Sequence, residues 1–241
     1  IAAKVETPGT TTVSAHTLFE IARKLPEGAE VSLAAAEGKM QVKAGKSNFN
    51  LPTLPRDDFP VIAEGDLPTN FELPVAELIQ IIDKTRFAIS TEETRYYLNG
   101  IYLHAPEDAP VLRGVATDSH RLAHIEVPLP QGAAGMPGVI VPRKTVTELR
   151  KLIDETTDDI AVGLSETKIR FSFDNAVLTS KLIDGTFPDY QRVIPEGNDK
   201  KMEINAKVFA DAVDRVSAIS SEKSRAVKLN LTNDNLTLSA S

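Results

Sequence analysis

Apolar positions along this chain switch repeatedly between two periods. From Ser14 to Leu25 the apolar residues Leu18, Ile21 and Leu25 fall at helical spacing on one face, which predicts a helix wet on its other side. Ser14 is suited to cap its start, and Pro26-Glu-Gly to end it. Alternation follows in Val31/Leu33, Met40/Val42 and Phe49/Leu51, the mark of half-buried strands joined by turns at Glu37-Gly38 and Gly45-Lys46. Further helices are predicted over 74–87, 142–153 and 205–216. The first of these opens with Pro74, a residue favoured in an initial helical turn. Strands are predicted over 95–103, 111–124, 160–164, 169–173 and 177–182, and over 227–231 and 236–240 around an Asn233-Asp-Asn235 turn.

Much of this pattern is written twice. At an offset of 128, Thr17, Glu20 and Leu25 meet Thr145, Glu148 and Ile153, and Phe59-Pro60 meets Phe187-Pro188. At an offset of 131, Val75, Leu78 and Ile82 meet Ala206, Phe209 and Val213. Ser90-Thr-Glu-Glu-Thr-Arg95 likewise faces Ser220-Ser-Glu-Lys-Ser-Arg225. Repetition at a fixed period implies similar units packed side by side. Each unit holds one helix laid on antiparallel strands, so the predicted class is α+β, with two units per domain and two helices on one sheet face. The linkers 64–68 and 196–199 divide the chain into residues 1–67, 68–196 and 197–241. The first element is half of such a pair and the last unit stops short, so the chain reads as an internal piece of a longer protein. Sheets placed edge to edge leave free edges unless they close, and a ring with helices inside satisfies that constraint.

Composition narrows the setting. No apolar run approaches the roughly 18 residues that span a membrane, and no basic-then-apolar leader suggests secretion. With no cysteine there are no disulfides or thiolate metal sites, which suits a reducing compartment. The net charge of −7 argues at first against nucleic acid. Yet the four helices carry ten Lys/Arg against six acids, a net +4, leaving −11 on the remainder. A basic stripe on an acidic body focuses a field on a polyanion, while Lys and Arg on the wet face of a helix also need no further use.

Candidate catalytic and metal chemistry fails on spacing. Ala44-Gly-Lys-Ser47 lacks the first glycine of a phosphate loop, Met40 standing in its place, and no helix follows. His120 and His124 are four apart, but Arg121 replaces the Glu of the helical zinc motif. Asp118, Ser119 and His120 are neighbours on a predicted strand, where adjacent side chains diverge and cannot form one relay.

Four motifs in order are specific. Thr94-Arg-Tyr-Tyr-Leu-Asn-Gly100, Val115-Ala-Thr-Asp-Ser-His-Arg-Leu122, Val139-Ile-Val-Pro-Arg-Lys144 and Thr179-Ser-Lys-Leu-Ile-Asp-Gly-Thr-Phe-Pro-Asp-Tyr190 resemble the bacterial sliding clamp family, the beta subunit of DNA polymerase III. The resemblance covers essentially the whole chain. It implies a DNA clamp fold of three similar domains per chain, with 1–67 as the second half of domain one, 68–196 as domain two and 197–241 as the first half of domain three. It implies a cytoplasmic processivity factor without catalysis, cofactor or metal. Two chains close head to tail around double-stranded DNA after opening by an ATP-driven clamp loader. The ring then tethers the DNA polymerase III alpha subunit, translesion polymerases and mismatch repair proteins. One departure is Ser119, where many members have Gly.

The resemblance also implies sites. Leu98, Thr117, Ser119, His120, Arg121, Leu122, Pro188, Arg192 and Val193 match a pocket for partner peptides that carry Gln, Leu and Phe. Arg95, Tyr96, Tyr97, Arg143 and Lys144 match positions that touch DNA. Two cations opening a helix work against its dipole, a cost that fits either a use or a merely solvated turn. Phe49 and Leu51, with Ala218 and Ile219 facing them, match the head-to-tail dimer interface, although Phe49 and Leu51 could instead cover their own core. The alternative function is a peptide-binding repeat scaffold with no DNA role.

Overall fold

The computed structural model describes residues 3–60, 65–174, 176–220, 226–232 and 234–240. The chain forms two compact units, Ile1–Thr186 and Phe187–Ser241, and each is described by itself.

The first unit opens with α1 (Ala15–Ala22), whose start is capped as expected by Ser14 Oγ, which accepts from the Thr17 N–H at 3.3 Å. A meander follows: β1 (Val31–Ala36), β2 (Lys39–Ala44) and β3 (Ser47–Pro52) pair antiparallel in that order. Glu37 and Gly38 both take positive φ in the first hairpin, the geometry that matches strand twist. Gly45 and Lys46 occupy the second hairpin, so Ala44-Gly-Lys-Ser47 is a strand-to-strand turn. Met40, Val42 and Leu51 form a small core, against which Leu18, Ile21 and Phe49 pack. Leu51 is 3% exposed, so within this chain it covers its own core, the alternative the sequence left open. Alternation had placed Phe49 and Leu51 on one face, and that face is turned to their own helix. β1 also differs from the half-buried strand expected: Val31 and Leu33 are 43% and 58% exposed, because one helix covers only part of this sheet.

The main core lies between residues 69 and 182. Its elements are β4 (Thr69–Leu73), α2 (Val75–Thr85), β5 (Gly100–His104), β6 (Val111–Thr117), β7 (Leu122–Pro128), β8 (Val139–Pro142), α3 (Arg143–Leu152), β9 (Ile160–Leu164), β10 (Lys168–Phe173) and β11 (Ala176–Lys181). The strands form two four-stranded sheets, β7-β6-β5-β8 and β11-β10-β9-β4, in place of the single sheet expected. The reason is an exchange. β4, which leads α2, pairs with β9 of the following repeat, Thr69 opposite Leu164. β8, which leads α3, pairs with β5 of the preceding one, Gly100 opposite Pro142. Sequence units and sheets therefore interlock.

α2 lies over β6 and β7, and α3 over β5 and β8. Close approach depends on Gly114 of β6, where any Cβ would stand 2.7 Å from Ile81 Cγ2. Leu78, Ile81 and Ile82 of α2, Val146 and Leu149 of α3, and Val162, Ile169 and Phe171 of the second sheet share one core. Leu149 is 1% exposed, and truncating such a side chain costs about 2–5 kcal/mol. Buried Thr85 is satisfied by donating to the Ile81 carbonyl at 2.6 Å.

In the second unit, α4 (Ala206–Ser217) is capped by Asn205 Oδ1, which accepts from the Val208 N–H at 3.1 Å. It is followed by β12 (Lys228–Thr232) paired with β13 (Asn235–Ser239). Of the residues singled out in the sequence, 221–225, Asn233 and Glu64 lie outside those described.

Candidate functional site

Two segments expected as strand are not. Glu93–Leu98 forms a 3-10 turn, kinked at Arg95 with φ −114° and ψ 51°. Asp118–Arg121 is a tight turn between β6 and β7, so the run 111–124 is two strands and not one. Asp118, Ser119 and His120 are therefore not on extended chain, and strand divergence is not what keeps them from forming a relay. The turn provides a different reason: Asp118 is spent on holding the backbone. Its Oδ1 accepts from the His120 and Arg121 N–H groups, each at 3.0 Å, and its Oδ2 from Arg121 Nε at 2.9 Å. This is the side-chain-to-backbone bonding that Asp offers in place of strand pairing. Burial pushes the Asp118 carboxyl up, but these donors outweigh it and hold it below its ordinary value. Thr117 Oγ1 donates to the Arg121 carbonyl at 2.8 Å and accepts from the Ser119 N–H at 3.1 Å.

The turn exposes Ser119, His120 and Arg121, while Leu122 is half-buried at the start of β7 and Leu98 is 2% exposed. Arg95 joins the 3-10 turn to this group. Its Nη1 donates to Ser119 Oγ at 2.6 Å, and its Nε and Nη2 donate to Glu92 Oε2 at 2.8 and 2.6 Å. The bond to Glu92, reinforced by its charge, raises the Arg95 guanidinium above its ordinary value against the pull of burial. Tyr96 is 54% exposed and meets Tyr97 edge-on at 5.8 Å. Arg95, expected among the DNA contacts, is thus bonded to Ser119, one of the peptide-pocket candidates.

Pro188, Arg192 and Val193 belong to the second unit. Arg192 lies in a 3-10 turn (Tyr190–Val193) and pairs with Asp189 at 2.7 Å, while Val193 is 68% exposed.

Arg143 and Lys144 open α3, whose first turn holds no acid to offset them. Both are exposed. Arg23, Lys24, Arg86, Arg150, Lys151 and Lys207 of the helices and their ends are ion-paired. Among the described residues, Arg143, Lys144, Lys84 and Arg215 are the helix cations outside any such pair. Arg150 is committed to Asp154 at 2.9 Å and Asp83 at 3.2 Å, contacts that raise it. The charge available to a polyanion is therefore concentrated on fewer residues than sequence counting gave.

Ala218 ends α4, and Ile219 beyond it is 73% exposed. A cavity of about 920 Å³ lies elsewhere in the first unit, at the outer face of the second sheet, lined by Asp66, Asn70, Glu72, Asp159 and Arg170 among others. It contains none of the residues expected to bind peptide or DNA. No helix among the described residues is long and apolar enough to cross a membrane.

Three family descriptions match in chain order: DNA polymerase III beta subunit, N-terminal domain, over residues 1–63, central domain over 72–189, and C-terminal domain over 191–241. The beta sliding clamp of Caulobacter vibrioides is 52% identical over 240 residues, covering 98% of this chain and 64% of that protein. That of Escherichia coli is 39% identical over 233 residues, covering 97% and 63%. The chain thus spans a little under two thirds of the length of these relatives. A crystal structure of a DnaN sliding clamp from Bartonella birtlesii, bound to griselimycin, superposes with a TM-score of 0.95 at 51% identity, covering 99% of this chain and 64% of that one.

Proposed function

This chain belongs to the DNA polymerase III beta subunit family, and from that premise we propose that it acts as part of a sliding clamp. In this reading the full-length protein closes as a homodimeric ring around double-stranded DNA in the cytoplasm and carries out no chemistry of its own. It is opened by a clamp loader and holds the polymerase alpha subunit, and other proteins with a clamp-binding motif, on the template. The in-order match to three successive domains of one protein carries the reading. The domains are assigned as 1–67, 68–196 and 197–241, close to where the matched segments break.

Physical features agree with it. A clamp must hold DNA without reading sequence, which calls for phosphate contacts and not base contacts. Arg143 and Lys144 are exposed, outside ion pairs and placed side by side, so they are assigned to the phosphates, together with Tyr96 and Tyr97. The turn that carries Ser119, His120, Arg121 and Leu122, with Thr117, Leu98, Pro188, Arg192 and Val193, is assigned to the partner peptide. In the first unit apolar Leu122 suits an anchor side chain and Arg121 suits backbone carbonyls or acids, and in the second Val193 and Arg192 offer the same two chemistries. Ala218 and Ile219, with the part of half-buried Phe49 that its own core leaves uncovered, are assigned to the contact between chains, and buried Leu51 is left out of it.

Retention on circular DNA tests the proposal. The full-length protein, once loaded on a nicked circle, should stay bound through gel filtration and run off after linearisation. Equal loss from circular and linear DNA would leave a peptide-binding scaffold as the better account.

A further inference from the structure

Ser119 adopts φ +73°, a left-handed backbone that favours glycine because a Cβ crowds the neighbouring carbonyl. The hydroxyl that comes with this strain is not idle, since it accepts from Arg95 Nη1 at 2.6 Å. The other edge of the same guanidinium is forked onto Glu92 through Nε and Nη2. Glu92 is itself fixed at both ends. Its N–H donates to Ser90 Oγ at 3.1 Å, and its carbonyl accepts from Asn99 Nδ2 at 3.1 Å. Ser90 is 2% exposed, so the relay ends in the body of the domain. With its charge paired to Glu92 and three of its five N–H donors engaged, this guanidinium is less available to a phosphate than Arg143 and Lys144.

We infer that Arg95 is a positioning residue for the 118–121 turn, and that the Ser119 hydroxyl is the group through which it acts. The Ser119–Arg95–Glu92 bridge fixes how His120, Arg121 and Leu122 are presented to a bound peptide. The inference rests on the assignment of that turn to the partner peptide. Glycine at 119 would accept the backbone more easily but would give Arg95 nothing to hold. The turn would then depend on the Asp118 and Thr117 bonds alone. Serine exchanges backbone comfort for a tie across to the 3-10 turn.

A double-mutant cycle on the full-length protein tests this, with a fluorescent peptide carrying the Gln, Leu and Phe motif as probe. Ser119→Ala removes the hydroxyl, Arg95→Gln removes the fork, and the double variant removes both. Each single change should weaken peptide binding about five- to tenfold, the scale of one intramolecular hydrogen bond. The double variant should be no weaker than the worse single, because both remove the same bond. Arg95→Gln should leave the salt slope of DNA binding as in the parent, whereas a phosphate ligand would lower it by about 1. If Ser119→Ala folds poorly, Ser119→Gly deletes the same hydroxyl without the strain and should show the same non-additivity with Arg95→Gln. Additive losses, unchanged peptide affinity in both singles, or a reduced salt slope would overturn the inference. A parent protein that does not bind the peptide would instead overturn the pocket assignment beneath it.

Discussion

The Arg143 N–H, the first of helix α3, donates to the Asn99 carbonyl at 2.9 Å. Helix starts leave such groups without an internal partner, and Pro142 makes no side-chain cap here. Asn99 closes the 3-10 turn that carries Tyr96 and Tyr97. One backbone hydrogen bond therefore sets the start of the basic helix against the aromatic turn, across the junction of two sequence repeats.

Replacing Arg143 and Lys144 together by Ala should weaken DNA binding by the full-length protein and lower the slope of log affinity against log salt by about 2. Thermal stability should not fall, because these cations oppose the dipole of α3. Fluorescence anisotropy over a salt series, with a thermal melt beside it, reads both outcomes.

Leu122→Asp should reduce binding of a clamp-motif peptide about a hundredfold, the loss expected for an anchoring position. Far-ultraviolet circular dichroism should be unchanged, since Leu122 is only half-buried. An unchanged titration curve would remove Leu122 from the pocket.

Gly100→Ala should lower the urea midpoint. A Cβ there would collide with the Val141 carbonyl oxygen and stand 2.9 Å from Ile140 Cγ2. The β5–β8 pairing would have to move, at a cost of about 1–3 kcal/mol.

His104 makes stability depend on pH. Burial, followed by the Arg113 charge, lowers its value from 6.5, with Asp108 opposing. The unfolded chain thus takes up the proton more readily than the folded one. The contribution of His104 is fully present above about pH 6.5 and is lost as pH falls through the lower folded-state value. Urea unfolding from pH 8 to pH 5 should show this decline, and His104→Gln should flatten it.

Leu51→Glu should unfold the α1/β1–β3 layer, whereas Ile219→Glu should yield a folded protein. In the full-length protein, sedimentation of the Ile219 variant at half the parental mass would place that residue between chains, and parental mass would exclude it.

Helices were the most legible feature. Periodicity places α1 and α4 to within a few positions; Ser14 caps α1 as expected, and Asn205, read as the first helical residue, caps α4. Three features were hidden for separate reasons. Arg95-Tyr-Tyr-Leu98 has a strand-like composition, but the kink at Arg95 and the coverage of Leu98 decide its form. Alternation shows that Phe49 and Leu51 share a face without showing which neighbour that face meets. The Arg95–Ser119 bond joins residues 24 positions apart, and no local pattern announces it. Matching DNA-contact motifs grouped Arg95 with the tyrosines, because motif position does not reveal which side-chain donors are already engaged.

The exchanged strands β4 and β8 bear on how this domain comes apart. Because each repeat lends its leading strand to the sheet of the other, neither can complete its own sheet alone. Amides of β4 and β9 can become protected only after the chain has closed from Thr69 to Leu164, a long-range step that slows folding. Once formed, the two sheets should exchange their slowest amide hydrogens together as one cooperative block. A duplicated sequence has thus yielded a single unit of unfolding, in which damage to either repeat is felt by both.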